Sequence, residues 1–116
     1  WHSNIPVLLD FVLLSESPID ALSYHQLKGM ENTLYVAFAG AVGDAQINTL
    51  KVIIERANTC PDLKFISAVD NDIAGRRYTE KFRTAFSEKL IVDTPLLKDF
   101  NEDLKKHDAK IRSFKI

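Results

Sequence analysis

The order of apolar and polar positions predicts four strands separated by helices. Short apolar runs of strand length occupy residues 7–14, 33–38, 63–69 and 90–92. Between them, residues 18–28, 44–58 and 74–87 have apolar side chains at helical spacing. In the first helix, Ile19 and Leu22 fall on the apolar side. A last helix is predicted from a start at Thr94 and Pro95 to about residue 107, and residues 109–116 are interpreted as a tail or an edge strand.

This alternation predicts an α/β fold: one domain with a mostly parallel four-stranded sheet and helices on both faces. All four prolines and all four glycines fall in or near the predicted junctions, which supports the assignment. The crossovers should be right-handed. If the strand order is 2-1-3-4, the first and third strands are neighbours, and a crevice opens between their carboxyl ends.

The composition narrows the class of protein. A chain of 116 residues is expected to form a single domain over its whole length. No apolar run approaches the roughly 20 residues of a membrane helix, so no membrane partner is expected. The lone Cys60, in a predicted loop, is interpreted as a bystander and fits a reducing, cytoplasmic compartment. Because the sequence begins with Trp1, we expect a fragment of a longer protein whose other domains are partners.

The net charge of -1 does not point to nucleic acid, but the charge is unevenly distributed. Residues 74–90 contain five basic and two acidic side chains, and residues 98–116 contain six basic and four acidic ones. Such runs are usually solvated helix faces. They could also contact phosphates.

Acidic residues follow two strands that are predicted to be neighbours. Asp70 and Asp72 end the third strand, and Glu16 ends the first. Converging carboxylates repel one another unless a cation or a proton intervenes, and such oxygen donors suit Mg²⁺ or Mn²⁺. Local roles stay open for two of these acids, Asp70 in a turn and Asp72 as a helix cap, and for a fourth acid, Asp20, in a capping box with Ser17.

Four ordered segments, at 15–23, 40–43, 70–78 and 98–104, make the chain resemble Toprim domains of the DNA primase-like type found in plasmid and mobile-element proteins. The resemblance covers residues 7–104. Glu16 matches the family glutamate, and Asp70 and Asp72 match its Asp-x-Asp. Primases usually carry Glu-Gly at the glutamate, whereas here Ser17 and Pro18 follow. The supporting positions that match are Asp20, Gly40 and the Ala74-Gly75 pair.

The resemblance implies a Rossmann-like Toprim domain that carries out metal-dependent nucleotidyl transfer or phosphodiester cleavage on nucleic acid, as in DNA replication. Asp70 and Asp72 would hold Mg²⁺ or Mn²⁺, and Glu16 would bind metal or act as a general acid/base. The start of the third helix, with Arg76 or Arg77, would contact phosphates of DNA or nucleotides.

Three alternatives stay open. A haloacid-dehalogenase-type phosphatase also uses Asp-x-Asp, but its motif normally lies early and is followed by Thr or Val, whereas Ile73 follows here. A response-regulator receiver would need a late lysine at a strand end, which the sequence does not clearly provide. A non-catalytic domain could bind nucleic acid or a partner through the basic third helix and use its acids only for folding.

Overall fold

The computed structural model describes residues 1–40 and 42–114 of the chain. Strands and helices alternate as the sequence predicts. In chain order, the elements are β1 (Leu9–Ser15), α1 (Pro18–Lys28), β2 (Thr33–Ala37), α2 (Asp44–Arg56), β3 (Thr59–Ser67), α3 (Ile73–Phe86), a 3₁₀ turn (Ser87–Lys89), β4 (Leu90–Val92) and α4 (Phe100–Phe114).

Within the described residues, the four strands form one parallel sheet in the order β2-β1-β3-β4. The predicted α/β fold is therefore confirmed, and β1 and β3 are neighbours. The N-terminal residues add a short antiparallel bridge, between His2 and Val36, to the free edge of β2. None of the helices described is long and apolar enough to cross a membrane.

The two faces of the sheet bury different clusters. Along β1, Val12 and Leu14 point to one face and Leu13 to the other, as the two-residue period of a strand requires. We call the first side, covered by α2 and α3, the α2/α3 face; its buried cluster includes Phe65, Phe82 and Phe86. The second side, covered by α1 and α4, is the α1/α4 face, and its cluster is smaller.

The predicted start of the last helix was wrong. α4 begins at Phe100 because the Asp99 side chain accepts a hydrogen bond from the Glu102 backbone N–H at 2.8 Å, which caps the first turn. The helix continues to Phe114, so the interpretation of residues 109–116 as a tail or edge strand was also wrong up to that residue. Residues 115 and 116 lie outside the described residues.

Two further expectations need correction. β3 starts at Thr59, which places Cys60 in a strand rather than a loop, because Leu9 of β1 pairs with Thr59 across an irregularity in the register. On α1, Ile19 and Leu22 are 56% and 58% exposed. The helix instead buries Asp20, Ala21, Ser23 and Tyr24, most of which are small or polar, against the sheet and α4.

Candidate metal centre at the carboxyl edge of the sheet

Glu16 joins the carboxyl ends of β1 and β3. It follows the last residue of β1, and its Oε2 accepts a hydrogen bond from the backbone N–H of Asp70 at 2.7 Å. Its own carbonyl oxygen accepts from the N–H of Ala39 in the loop after β2, at 2.9 Å. Glu16 therefore sits where three strand ends meet, and its carboxylate lies beside that of Asp70.

Asp70 lies among several acids, and its pKa is strongly raised. Burial, and then the negative charges of Glu16, Asp20 and Asp99, raise its pKa to about 7. At neutral pH the Asp70 carboxyl group is therefore partly protonated, because burial and the neighbouring acids disfavour its charged form. A divalent cation would relieve this repulsion and lower the pKa, so the electrostatics fit a metal ion.

Asp20 and Asp99 complete a cluster with Asp70. One carboxylate oxygen from each of the three residues lies within 4.8 Å of the others, close enough to hold a metal ion. Asp20 is 5% exposed and accepts from the Ser17 hydroxyl at 2.8 Å and from the Asn101 N–H at 3.2 Å. Burial raises its pKa, which those two donors partly oppose. Asp20 lies in the first turn of α1, Asp70 follows β3, and Asp99 lies in the loop before α4.

Asp72 has a local role in this structure. Its Oδ1 accepts the Gly75 N–H at 2.7 Å and caps α3. Among the described residues, the group of carboxylates within 4.8 Å consists of Asp20, Asp70 and Asp99, and neither Asp72 nor Glu16 belongs to it. Of the three acids expected to bind metal together, Glu16 and Asp70 are therefore in contact, and Asp72 begins the neighbouring helix.

Gly75 sets how closely α3 approaches the strand end. A Cβ added there would lie 3.0 Å from the carbonyl carbon of Asp70 and nearer still to its oxygen, so no side chain fits without moving the backbone. Gly40, in the loop after β2, has a φ of +96°, which favours glycine. Both glycines that were expected to support the site thus have backbone reasons for being there.

Arg76 and Arg77 are neighbours on α3, but they differ in whether they line the cleft beside Asp70. A cleft of about 320 Å³ runs from Asp70 along the helix, and Arg76, Thr79 and Arg83 line it. Both arginines are exposed, and Arg77 is not among the described residues that line this cleft. Arg76 is therefore the one placed beside Asp70.

The residue that sequence reasoning missed is Asp99. The sequence does carry a pattern typical of a helix start here. Asp99 is followed three residues later by Glu102, which is the spacing of a capping box. The loop that carries it is fastened to the site, because the Asn71 N–H donates to the Lys98 carbonyl at 2.7 Å. That cap would have given the start of α4, but only the tertiary structure places Asp99 beside Asp70.

A protein-family model described as Toprim-like matches residues 13–104. This match covers most of the chain, and the chain belongs to the Toprim-like family. It is a Toprim domain, a module of the kind that binds divalent metal and interacts with nucleic acid. Comparison with curated proteins and with solved structures found no match.

Proposed function

We propose that this chain is the metal-binding catalytic module of a DNA primase-like protein, part of a longer polypeptide, that performs nucleotidyl transfer or phosphodiester cleavage on nucleic acid. The observation that carries the proposal is the cluster of acids at the carboxyl edge, where Asp70 has its pKa raised to about 7. Structural acids rarely converge in this way without a cation or proton between them.

The carboxylates of Asp20, Asp70 and Asp99 would hold Mg²⁺ or Mn²⁺, with Glu16 bonded to the Asp70 backbone beside them. When bound, such an ion neutralises negative charge on a phosphate and lowers the pKa of a bound water. All the donors are carboxylate oxygens, which suit these hard cations. Few protein ligands leave several waters in place, so binding should be weak.

The remaining side chains supply orientation and proton transfer. Glu16 has one oxygen engaged by the Asp70 N–H, which fixes its carboxylate at the strand ends and leaves the other oxygen to accept or give a proton. The amino end of α3 lies beside Asp70, since Gly75 approaches the Asp70 carbonyl, and a helix amino end favours an anion. Arg76, on the wall of the adjoining cleft, would pair with a phosphate oxygen.

Metal binding is tested on the chain itself by titration with Mn²⁺, followed by electron paramagnetic resonance. Asp70→Asn and Asp99→Asn should each weaken binding strongly, while Asp44→Asn, an exposed acid in the first turn of α2, should leave it unchanged. The Asp72→Asn variant shows whether Asp72 also contributes to Mn²⁺ binding. Equal Mn²⁺ binding by wild type and Asp70→Asn would refute the metal centre.

The catalytic role is tested with Glu16→Gln, because the glutamine carbonyl can still accept the Asp70 N–H and keep the strand ends together. Metal-dependent primer extension or strand cleavage should fall by about 10²–10⁴-fold, the usual contribution of a general acid or base. Mn²⁺ binding should persist. Both activity measurements use the longer parent protein; if the wild-type parent protein binds metal and DNA without turnover, the module is a non-catalytic nucleic-acid-binding domain instead.

The phosphate contact is tested by a matched pair, Arg76→Gln and Arg77→Gln. The two residues are adjacent and both exposed, but only Arg76 lines the cleft with Asp70 among the described residues. In the presence of Mg²⁺, Arg76→Gln should weaken single-stranded DNA binding more than Arg77→Gln and should reduce its dependence on salt. Equal losses would place the DNA elsewhere on α3.

A further inference from the structure

A second concave surface lies on the α1/α4 face, apart from the metal centre. This groove has a volume of about 460 Å³ and lies between the end of α1, the loop 93–99 and α4. Among the described residues, its lining includes none of Asp20, Asp70 and Asp99. It therefore needs its own explanation.

The floor of the groove is apolar. Leu27, Leu97 and Phe100 contribute to it, and Leu96 is 90% exposed at its border. The backbone that carries Leu96 is fixed, because the Asp103 carboxylate accepts the N–H groups of Leu96 and Leu97 at 2.9 and 2.8 Å. Leu96 therefore extends the apolar surface of the groove, and a contiguous apolar surface rimmed by polar residues is typical of an interaction site.

The rim of the groove carries more lysines than acids, since Lys28, Lys106 and Lys110 line it together with Asp93 and Asp103. Its acids are engaged: Asp103 by the two N–H groups, and Asp93 by the Tyr24 hydroxyl at 2.7 Å and the Lys28 ammonium at 3.8 Å. Lys106 and Lys110, one helical turn apart on α4, also line the groove, and neither has an ion-pair partner among the described residues. A ligand with carboxylates would complement this rim.

We infer that the groove docks an acidic peptide segment of a protein partner, with leucine-type side chains on the floor and carboxylates against Lys106 and Lys110. A helix or strand of that composition uses an apolar groove with a charged rim in this way. Single-stranded nucleic acid instead stacks its bases on exposed aromatic rings. Phe100 is only 3% exposed and packs edge-on against Tyr24, with ring centroids 4.9 Å apart, so its ring offers no stacking surface.

The test is selection of a random displayed-peptide library on the immobilised 116-residue chain. We expect enrichment of peptides that combine Asp or Glu with Leu, Ile or Phe. A synthetic copy of an enriched peptide should bind Lys106→Glu/Lys110→Glu and Leu96→Asp at least about tenfold more weakly than wild type, as loss of a central anchor or charge pair produces. Melting curves check that each variant is folded.

Two controls match these changes outside the groove. Lys89→Glu/Lys105→Glu alters the net charge equally, and Leu22→Asp places the same acid at a leucine that is 58% exposed on α1. Both should bind the peptide within about twofold of wild type, the usual effect of a surface change away from the contact. Absence of acidic apolar sequences in the selection, or equal loss in the controls, overturns the inference. Displacement of the peptide by a single-stranded oligonucleotide at equal concentration assigns the groove to nucleic acid and overturns it as well.

Discussion

The two faces of the sheet are held by different kinds of contact. On the α2/α3 face, Phe65 and Phe86 stack with ring centroids 3.8 Å apart, and Phe82 is fully buried beside them. On the α1/α4 face, a smaller apolar cluster is joined by hydrogen bonds between distant elements: the Asn101 N–H donates to Asp20 at 3.2 Å, and the Tyr24 hydroxyl donates to Asp93 at 2.7 Å.

This difference indicates which part of the molecule should change its stability with pH and metal. Apolar contacts on the α2/α3 face do not depend on protonation, whereas two of the clustered acids, Asp20 and Asp99, belong to elements of the α1/α4 face. Their repulsion with Asp70 must be relieved by a proton or a cation. The α2/α3 face should therefore supply constant stability, and the α1/α4 face should supply stability that varies with pH and metal.

The largest effect is expected from Phe82→Ala, which removes a fully buried ring from the α2/α3 face. The free energy of unfolding should fall by about 3–5 kcal/mol, the usual range for a buried phenylalanine. Urea unfolding measures this, and the loss should be the same with and without Mg²⁺. Val52→Ala on the exposed side of α2 is the control and should cost under about 1 kcal/mol. A metal-dependent loss at Phe82 would contradict the division between the faces.

Gly75→Ala should lower both the free energy of unfolding and the affinity for Mn²⁺. Alanine normally favours a helix over glycine by about 1 kcal/mol, so any destabilisation reflects the overlap with the Asp70 carbonyl. We expect a net loss of about 1–3 kcal/mol, as for other overpacked positions, together with weaker Mn²⁺ binding.

The matched control for Gly75→Ala is Gly43→Ala. There an added Cβ meets only the flexible Gln46 side chain, 2.8 Å away, so metal binding should not change. Normal stability and normal Mn²⁺ affinity in Gly75→Ala would show that the strand end adjusts freely.

The pH dependence of the metal-free chain should follow Asp70. Its folded-state pKa of about 7 lies above the ordinary value of 3.8, so the folded chain holds a proton between these values that the unfolded chain has lost. Stability therefore falls as pH rises from about 4 to 7. Melting in EDTA should show this decline, Asp70→Asn should flatten it, and Mg²⁺ should restore the wild type at pH 8. A decline of equal slope in Asp70→Asn would assign the effect to other groups.

The smallest effects concern Asp72. Because it caps α3, Asp72→Ala should cost about 1 kcal/mol, whereas Asp72→Asn should melt no lower than wild type without metal, since asparagine caps about as well. Thermal melting of both variants separates the cap from the charge. A clear drop in the melting temperature of Asp72→Asn would mean that the Asp72 carboxylate is itself structural, as the cap of α3.

Features that depend on neighbours in sequence were predictable. The Ser17 side chain caps α1 and Pro18 opens it, and Gly29 ends it with a φ of +62°, so both ends of this helix agree with the prediction. The alternation of strands and helices led to the parallel sheet, and the order 2-1-3-4 placed Glu16 beside Asp70. Caps and turns can be predicted from a few neighbouring residues, because those residues form the hydrogen bonds that the backbone groups at a helix end need.

Only the tertiary structure decided which acids meet. Asp20 and Asp72 both have the sequence pattern of helix caps, yet Asp20 lies in the carboxylate cluster and Asp72 does not. Asp99 reaches the cluster because α4 returns to the face that α1 occupies and the loop before it is hydrogen-bonded to Asn71. These distances depend on the packing of elements far apart in sequence. Local spacing therefore showed where acids could gather but could not choose among them.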